Sequence, residues 1–364
     1  MVRCRRPHPL VGVGYRLRRG VLSRVLGLVL GLVLSGTLPA AEVLRVLSWP
    51  GYADADVVKV FEQRTGARVE VTLVDADEML WERISARDAA DFDVFAVNTA
   101  ELQRYIDRGL VVPLELDALP NRGAQLARFR DPAALPGVTR DGKVFAVPYA
   151  YAEMGLIYDR RQFEAPPQSI AALWDPRHQG KVLIYNGGSH NFSLAAQMLA
   201  KPSPFRIDEA DWAQAVERLI ALRRNILTVY AQPEESARLF IDRGAALLLA
   251  NYGTQQLHLL RAAGADVGYV IPREGALAWL DCWAITRGAR NRTLAHAWID
   301  YMLEAGPAEV LSQRHGLNNT RSQPTHQAAA DRLVWLEPVE HVERRILLWE
   351  RIISGDSATR VLAP

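Results

Sequence analysis

One carboxylate in this chain stands where carboxylates are costly. Asp281 lies in the apolar run Leu277-Ala278-Trp279-Leu280-Asp281-Cys282-Trp283-Ala284, where a charge must meet a cation or hydrogen-bond donors to offset its desolvation. Such an acid either anchors a cation or is satisfied by backbone N–H groups. A second feature is the turn Asn186-Gly187-Gly188-Ser189-His190. As the start of a helix it presents free N–H groups and a positive dipole end to an anion, and as an ordinary strand–helix turn it presents nothing further. Catalytic constellations are missing. There is no Gly-x-Ser-x-Gly, no Ser-x-x-Lys and no pair of histidines at metal-ligand spacing, so neither a nucleophile nor a metal is supported. Asp91 with Asp93, and Glu234 with Glu235, are carboxylate pairs at a strand edge and a helix start, where solvation explains them. Cys282 is the only thiol beyond Cys4, and its apolar neighbours mark a small buried residue. The chemistry on offer is binding without metal or cofactor, and the chain reads as no enzyme.

The elements that must position these groups alternate in type. Residues 43–49 alternate as a strand and end at the turn pair Pro50-Gly51. Residues 54–65 carry Val57, Val58, Val60 and Phe61 at helical spacing, with Gly66 as the stop. A strand over 68–74 follows, then a helix that Asp77 can cap. A strand over 92–97 leads to a helix that Thr99 can cap. Strands alternating with helices predict a largely parallel sheet covered on both faces. A second set has strands over 181–185, 245–250 and 266–271, a helix from about His190 to Leu199 and an amphipathic helix over 208–225. Residues 293–311 and about 339–353 read as helical. No Gly/Ser-rich linker divides the sets, so ordered strands near 147–151 and 279–284 must cross between them, as in a hinged clamp.

Length and charge agree with that division. The 364 residues suggest two domains. Residues 1–41 hold seven arginines and no acid, leaving 36 Lys+Arg against 41 Asp+Glu, a net of −5, for the remainder. A mildly acidic body is a poor nucleic-acid binder. The arginine-rich start, the apolar run over 25–34 and the small residues up to Ala40-Ala41 read as a secretory signal. Arg18-Arg19 leaves Sec and twin-arginine export both open.

Several segments together resemble one family. They are Val46-Leu47-Ser48-Trp49-Pro50-Gly51-Tyr52, Phe61-Glu62-Gln63-Arg64-Thr65-Gly66, Asp91-Phe92-Asp93-Val94, Val147-Pro148-Tyr149, Leu173-Trp174-Asp175-Pro176 with Gly180-Lys181-Val182, and Pro272-Arg273-Glu274-Gly275 with Trp279-Leu280-Asp281. In order and spacing they are similar to the periplasmic substrate-binding proteins of ABC importers, in particular the spermidine/putrescine-binding group. The resemblance implies an α/β chain with the two-lobed, type II binding-protein fold: two mixed, mainly parallel sheets flanked by helices, with a hinge between. The implied divisions are a signal peptide at 1–41, a first lobe over 42–149, a second over 150–279, a return to the first over 280–320, and C-terminal helices on the second over 321–364.

The resemblance also implies a site. Trp49 and Tyr52 match the family's aromatic clamp, suited to an ammonium or its methylenes. Trp279 and Asp281 match its Trp-x-Asp, Asn98 and Thr99 its small polar loop, and Tyr151 falls on the first crossing. Tyr252 adjoins the family's Trp position, which here is Asn251. The departure lies in the turn after 182–185, where polyamine-binding members carry acids and this chain has none. Glu153 then becomes a candidate second carboxylate; alternatively, Ser189-His190 takes an anion and the ligand is a 4-aminobutyrate-like zwitterion. The implied function is a monomeric periplasmic receptor for a small amine, a polyamine such as spermidine or putrescine, serving an inner-membrane ABC permease or, alternatively, a membrane sensor.

Overall fold

In the computed structural model the described residues are 41–326, 328 and 332–363; the stretch read as an export signal lies outside them except for Ala41. The chain opens with β1 (Val43–Ser48), α1 (Ala55–Thr65), β2 (Arg68–Leu73), α2 (Asp77–Ser85), β3 (Val94–Asn98) and α3 (Thr99–Asp107). After a short α4 (Ala127–Arg130) and the hairpin β4 (Thr139–Arg140) and β5 (Lys143–Val144), the long β6 (Ala146–Glu153) leads out of this unit. The second unit comprises β7 (Leu156–Asp159), β8 (Val182–Tyr185), α5 (Gly188–Met198), α6 (Trp212–Arg223), β9 (Ile226–Tyr230), α7 (Pro233–Asp242), β10 (Leu247–Leu249), α8 (Thr254–Ala262) and β11 (Val267–Val270). The ten-residue β12 (Ala276–Ile285) returns, followed by α9 (Arg292–Met302), α10 (Ala305–His315), β13 (Asn318–Asn319) and β14 (Leu333–Trp335). Finally α11 (Val342–Ile353) and α12 (Ala358–Val361) rejoin the second unit, packing on α5 and α6.

Two main sheets result, with strand orders β13-β6-β12-β3-β1-β2, β14 flanking β12, and β11-β7-β10-β8-β9. The βα units give the expected parallel pairs, β1 with β2 and β3, and β8 with β9 and β10. The antiparallel share is larger than the alternation predicted, because β12 enters between β3 and β6 running against both, β13 runs against β6, and in the second sheet β7 runs against both β10 and β11. Apolar side chains fill both faces of each sheet. Phe61, Trp283, Trp298 and Ile299 lie on one face of the first, and Leu80, Ile84, Phe95 and Tyr105 on the other. In the second, Phe192, Trp212, Leu219 and Trp349 pack opposite Phe240, Leu248 and Leu257.

Local signals hold at some ends and shift at others. Gly66 ends α1 in the left-handed region at φ 72°, as the stop signal requires. Asn98, not Thr99, caps α3: its Oδ1 accepts from the Glu101 N–H at 2.9 Å. Ala76 takes the cap position of α2, which leaves the Asp77 side chain for another partner. Asp93, one of the carboxylates noted above, is buried against Arg45 at 2.7 Å.

Candidate functional site

The carboxyl end of β3 meets the crossing strand β12 at Asn98 and Asp281, and the turn after β10 meets it where Trp279 donates to Asn251. This is where open α/β sheets place ligands. Asp281 is the centre of the arrangement. It lies mid-strand on β12 and is only 8% exposed. The pairing of β12 with β6 slips beside it: Asp281 faces Ala150 but Cys282 faces Pro148, so Tyr149 bulges out. Pro148 has no N–H to donate, which makes it a natural place for the ladder to break, and a bulge re-aims the neighbouring side chains.

Tyr52 donates its hydroxyl to Asp281 Oδ2 at 2.5 Å. The turn that delivers it needs Gly51, at φ 85° and with the His315 ring 2.8 Å from where a Cβ would stand. Edge-on contacts with Tyr149 at 5.4 Å and Trp283 at 6.5 Å fix the Tyr52 ring. Among the described residues Asp281 has no ion-pair partner. Burial pushes its carboxyl up to about 7, against the lowering effect of the Tyr52 hydroxyl. Trp49, at the end of β1, is half-buried, and its Nε1 has no partner.

Asn98 stands directly beside this acid, as its cross-strand partner on β3. While its Oδ1 caps α3, its Nδ2 donates to Asp77 Oδ1 at 3.1 Å. Asp77 is thereby brought to the same place, and its carboxyl is also pushed up to about 7, by burial first and then by Glu101, Asp281 and Glu78, with Arg104 opposing. Arg104 does not neutralise it directly. Its guanidinium donates to the Asp77 carbonyl at 3.1 Å, pairs with Glu101 at 2.7 Å and lies 4.5 Å over the Trp81 ring. Thr99 is buried, and its hydroxyl has no partner.

The second unit faces these acids with uncharged groups. Tyr185, at the end of β8, has its hydroxyl pKa raised by burial and, against a hydrogen bond with Tyr252, by the charges of Asp77 and Glu78. His190 packs edge-on to Tyr185 at 5.5 Å, and burial pushes its imidazole down to about 4, leaving it neutral at pH 7. Tyr252 meets Tyr185 at 6.0 Å and donates to the Ala231 carbonyl at 2.7 Å. Trp279 Nε1 on β12 donates to the Asn251 carbonyl at 3.1 Å, joining the two units, while Asn251 Oδ1 is buried without a partner. A cavity of about 10 Å³, room for one water, opens between Asn251, Asn191, Tyr185 and His190. Ser189 lies in the first turn of α5, and its carbonyl accepts from Arg345 of α11 at 3.3 Å. That turn packs tightly under α11, since a Cβ on Gly188 would stand 2.7 Å from the Arg345 carbonyl.

Two expected site residues have other occupations. Tyr151 is fully buried between Phe129 at 5.2 Å and Trp335 at 5.8 Å, and its hydroxyl accepts from Arg128 at 2.5 Å. Glu153, also fully buried, accepts from Asn318 at 2.6 Å, from His326 and from the Tyr269 hydroxyl at 3.2 Å. Its carboxylate is spoken for by β13, β11 and the segment that carries His326. Among the described residues no cluster of His, Cys, Asp or Glu could hold a metal, and no helix is long and apolar enough to cross a membrane.

A sequence model of the bacterial extracellular solute-binding proteins matches residues 56–314. The chain belongs to that family. This solute-binding protein is 26% identical over 326 residues to the putrescine-binding periplasmic protein PotF of Escherichia coli, spanning 84% of this chain and 86% of that one. It is 24% identical over 278 residues to the spermidine/putrescine-binding periplasmic protein 1 of Haemophilus influenzae, spanning 76% of this chain and 74% of that one. Its fold is similar to that of the spermidine/putrescine ABC transporter substrate-binding protein PotD of Streptococcus pneumoniae. The TM-score is 0.73 at 19% identity, over 86% of this chain and 100% of that chain. The two units described above are thus the lobes of a periplasmic-binding-protein fold.

Sequence reasoning missed Asp77 and Tyr185 at this site. Asp77 reads in sequence as an acid opening a helix, where the dipole alone accounts for it. The available signal was Asn98: a side chain that caps α3 with its oxygen must place its amide hydrogens somewhere, and β3 lies next to the β1–β2 pair from which Asp77 follows.

Proposed function

We propose that this protein is an exported periplasmic receptor that captures a small amine of the polyamine class between its lobes and delivers it to an ABC-type permease. The observation that carries the reading is Asp281: a buried carboxylate with one tyrosine hydroxyl as its hydrogen-bond donor and no ion-pair partner among the described residues. An acid left so incompletely satisfied is costly unless a ligand brings the missing cation. Tyr52 touches it, Trp279 lies two residues before it on β12 and Trp49 ends β1, and aromatic faces attract ammonium groups by about 0.5–2 kcal/mol each. The names of the relatives, binders of putrescine or spermidine, agree with that chemistry. Closure follows from differential affinity, the ligand favouring the arrangement in which both lobes touch it.

The zwitterion alternative draws little support, because the turn at Ser189-His190 is packed under α11 and its histidine is neutral. Calorimetric titration with putrescine and 4-aminobutyrate tests the reading. Putrescine is expected to bind and 4-aminobutyrate to bind at least tenfold more weakly; the reverse ranking restores the zwitterion, and no heat with any amine removes the proposal.

A further inference from the structure

We propose that Asp77 is the second cation-binding carboxylate of the cleft, and that placing both carboxylates on the first lobe selects a short diamine over a longer polyamine. The inference rests on the amine reading and deepens it. Asn98 sets the spacing. It is the cross-strand partner of Asp281 and holds Asp77 Oδ1 at 3.1 Å. Cross-strand Cβ atoms lie about 5 Å apart, so the two carboxylates are separated by little more than one asparagine side chain. That is the reach of a short diamine lying across Asn98, with one ammonium at each acid.

The surrounding charges favour the same conclusion. On α2 and α3 the neighbours of Asp77 are Glu78, Glu101 and Arg104, and Arg104 is already engaged by Glu101 and by the Trp81 ring. The charge of Asp281 adds to the cost of ionising Asp77, and each acid carries a carboxyl pushed up to about 7, in both by burial first. A single ammonium leaves one of the two buried carboxylates without a cation, whereas two satisfy both at once.

The opposite wall gives a third ammonium no comparable partner. Tyr185, Tyr252 and Asn251 are uncharged, and His190 is neutral. Glu153 is closed off by Asn318, His326 and Tyr269. Glu234, whose charge Tyr252 feels, is exposed at the start of α7, where an ion pair is worth little. A triamine therefore desolvates one cation that nothing buried compensates. All charge recognition falls to the first lobe, and the second contributes walls.

The test is Asp77→Asn, which keeps the side-chain shape and an oxygen for the Asn98 amide. Putrescine, spermidine and butylamine are titrated into the purified wild type and variant, with saturation also followed by stabilisation of the fold against heat. The wild type is expected to bind putrescine at least tenfold more tightly than spermidine. Asp77→Asn should weaken putrescine at least tenfold and butylamine less than threefold, because a monoamine uses Asp281 alone. Equal weakening of both, an unchanged putrescine affinity, or spermidine binding more tightly than putrescine to the wild type overturns the proposal. A wild type that binds none of the three amines fails earlier, at the amine reading itself, and takes this inference with it.

Discussion

Asp281 and Glu153 are both buried carboxylates on neighbouring strands of one sheet, both at the crossing between the lobes, and their circumstances are opposite. Glu153 is 0% exposed and collects donors from β13, from the segment that carries His326, and from β11. It ties β6 to those three segments at one point. Asp281 is 8% exposed, receives one hydroxyl, and has its carboxyl pushed up to about 7. Burial alone does not distinguish a structural acid from a binding acid. The difference is how much of the acid's hydrogen-bonding capacity the fold itself fills.

Replacing Asp281 breaks the comparison most severely. Asp281→Asn removes the charge while leaving the fold free of a costly ion, so amine affinity should fall at least about a hundredfold, near 2.7 kcal/mol, with no loss of thermal stability in the ligand-free protein. Calorimetry and a melting curve on the same preparation check both halves. Retained affinity would assign Asp281 to the scaffold and erase the contrast with Glu153.

The converse substitution should invert the pattern. Glu153→Gln keeps one oxygen but loses the anionic acceptor of Asn318 and His326, and leaving buried donors poorly satisfied costs about 1–3 kcal/mol. The melting temperature should fall accordingly, with putrescine affinity held within threefold. A stable variant with lost affinity would mean that Glu153, not Asp281, meets the ligand.

These two acids also show what could be read in advance. Asp281 was legible as a buried acid, because a lone carboxylate in an apolar strand must find a donor or a cation. Glu153 was legible as a carboxylate at the crossing but not as a satisfied one, since its partners Asn318 and His326 lie 165 and 173 residues further on. Tyr151 was misplaced for a related reason. Strict alternation puts Tyr149 and Tyr151 on one face, yet the bulge at Tyr149 sends Tyr149 toward Tyr52 and Tyr151 toward Phe129. The alternating βα pattern needed only local periodicity, so the helices and the longer strands were recoverable. The second acid of the site needed a side-chain bond between β3 and α2, and no period in the sequence encodes one.

The finest test of the contrast is titration. Asp281 and Asp77 have carboxyls near 7 in the empty cleft, so at about pH 5.5 both are mostly protonated and must lose a proton to hold an ammonium. Affinity should therefore rise between about pH 5.5 and about pH 8, by up to tenfold per unit for each acid that ionises, and level off above. The ligand-free protein should do the opposite. Carboxyls raised above their unfolded value of about 4 stabilise the fold while protonated, so that contribution is complete below about pH 4 and disappears as pH rises through 7. Tyr52→Phe sharpens the assignment to Asp281. The Tyr52 hydroxyl holds that carboxyl down, so its removal should shift the midpoint of the affinity profile to higher pH and cost about threefold at pH 7, with most of the loss recovered near pH 9. A Tyr52→Phe midpoint that does not move would take the titration away from Asp281, and a profile that stays flat from about pH 5.5 to 8 would show that the acids are already ionised in the empty cleft. The cleft would then satisfy Asp281 as fully as the crossing segments satisfy Glu153.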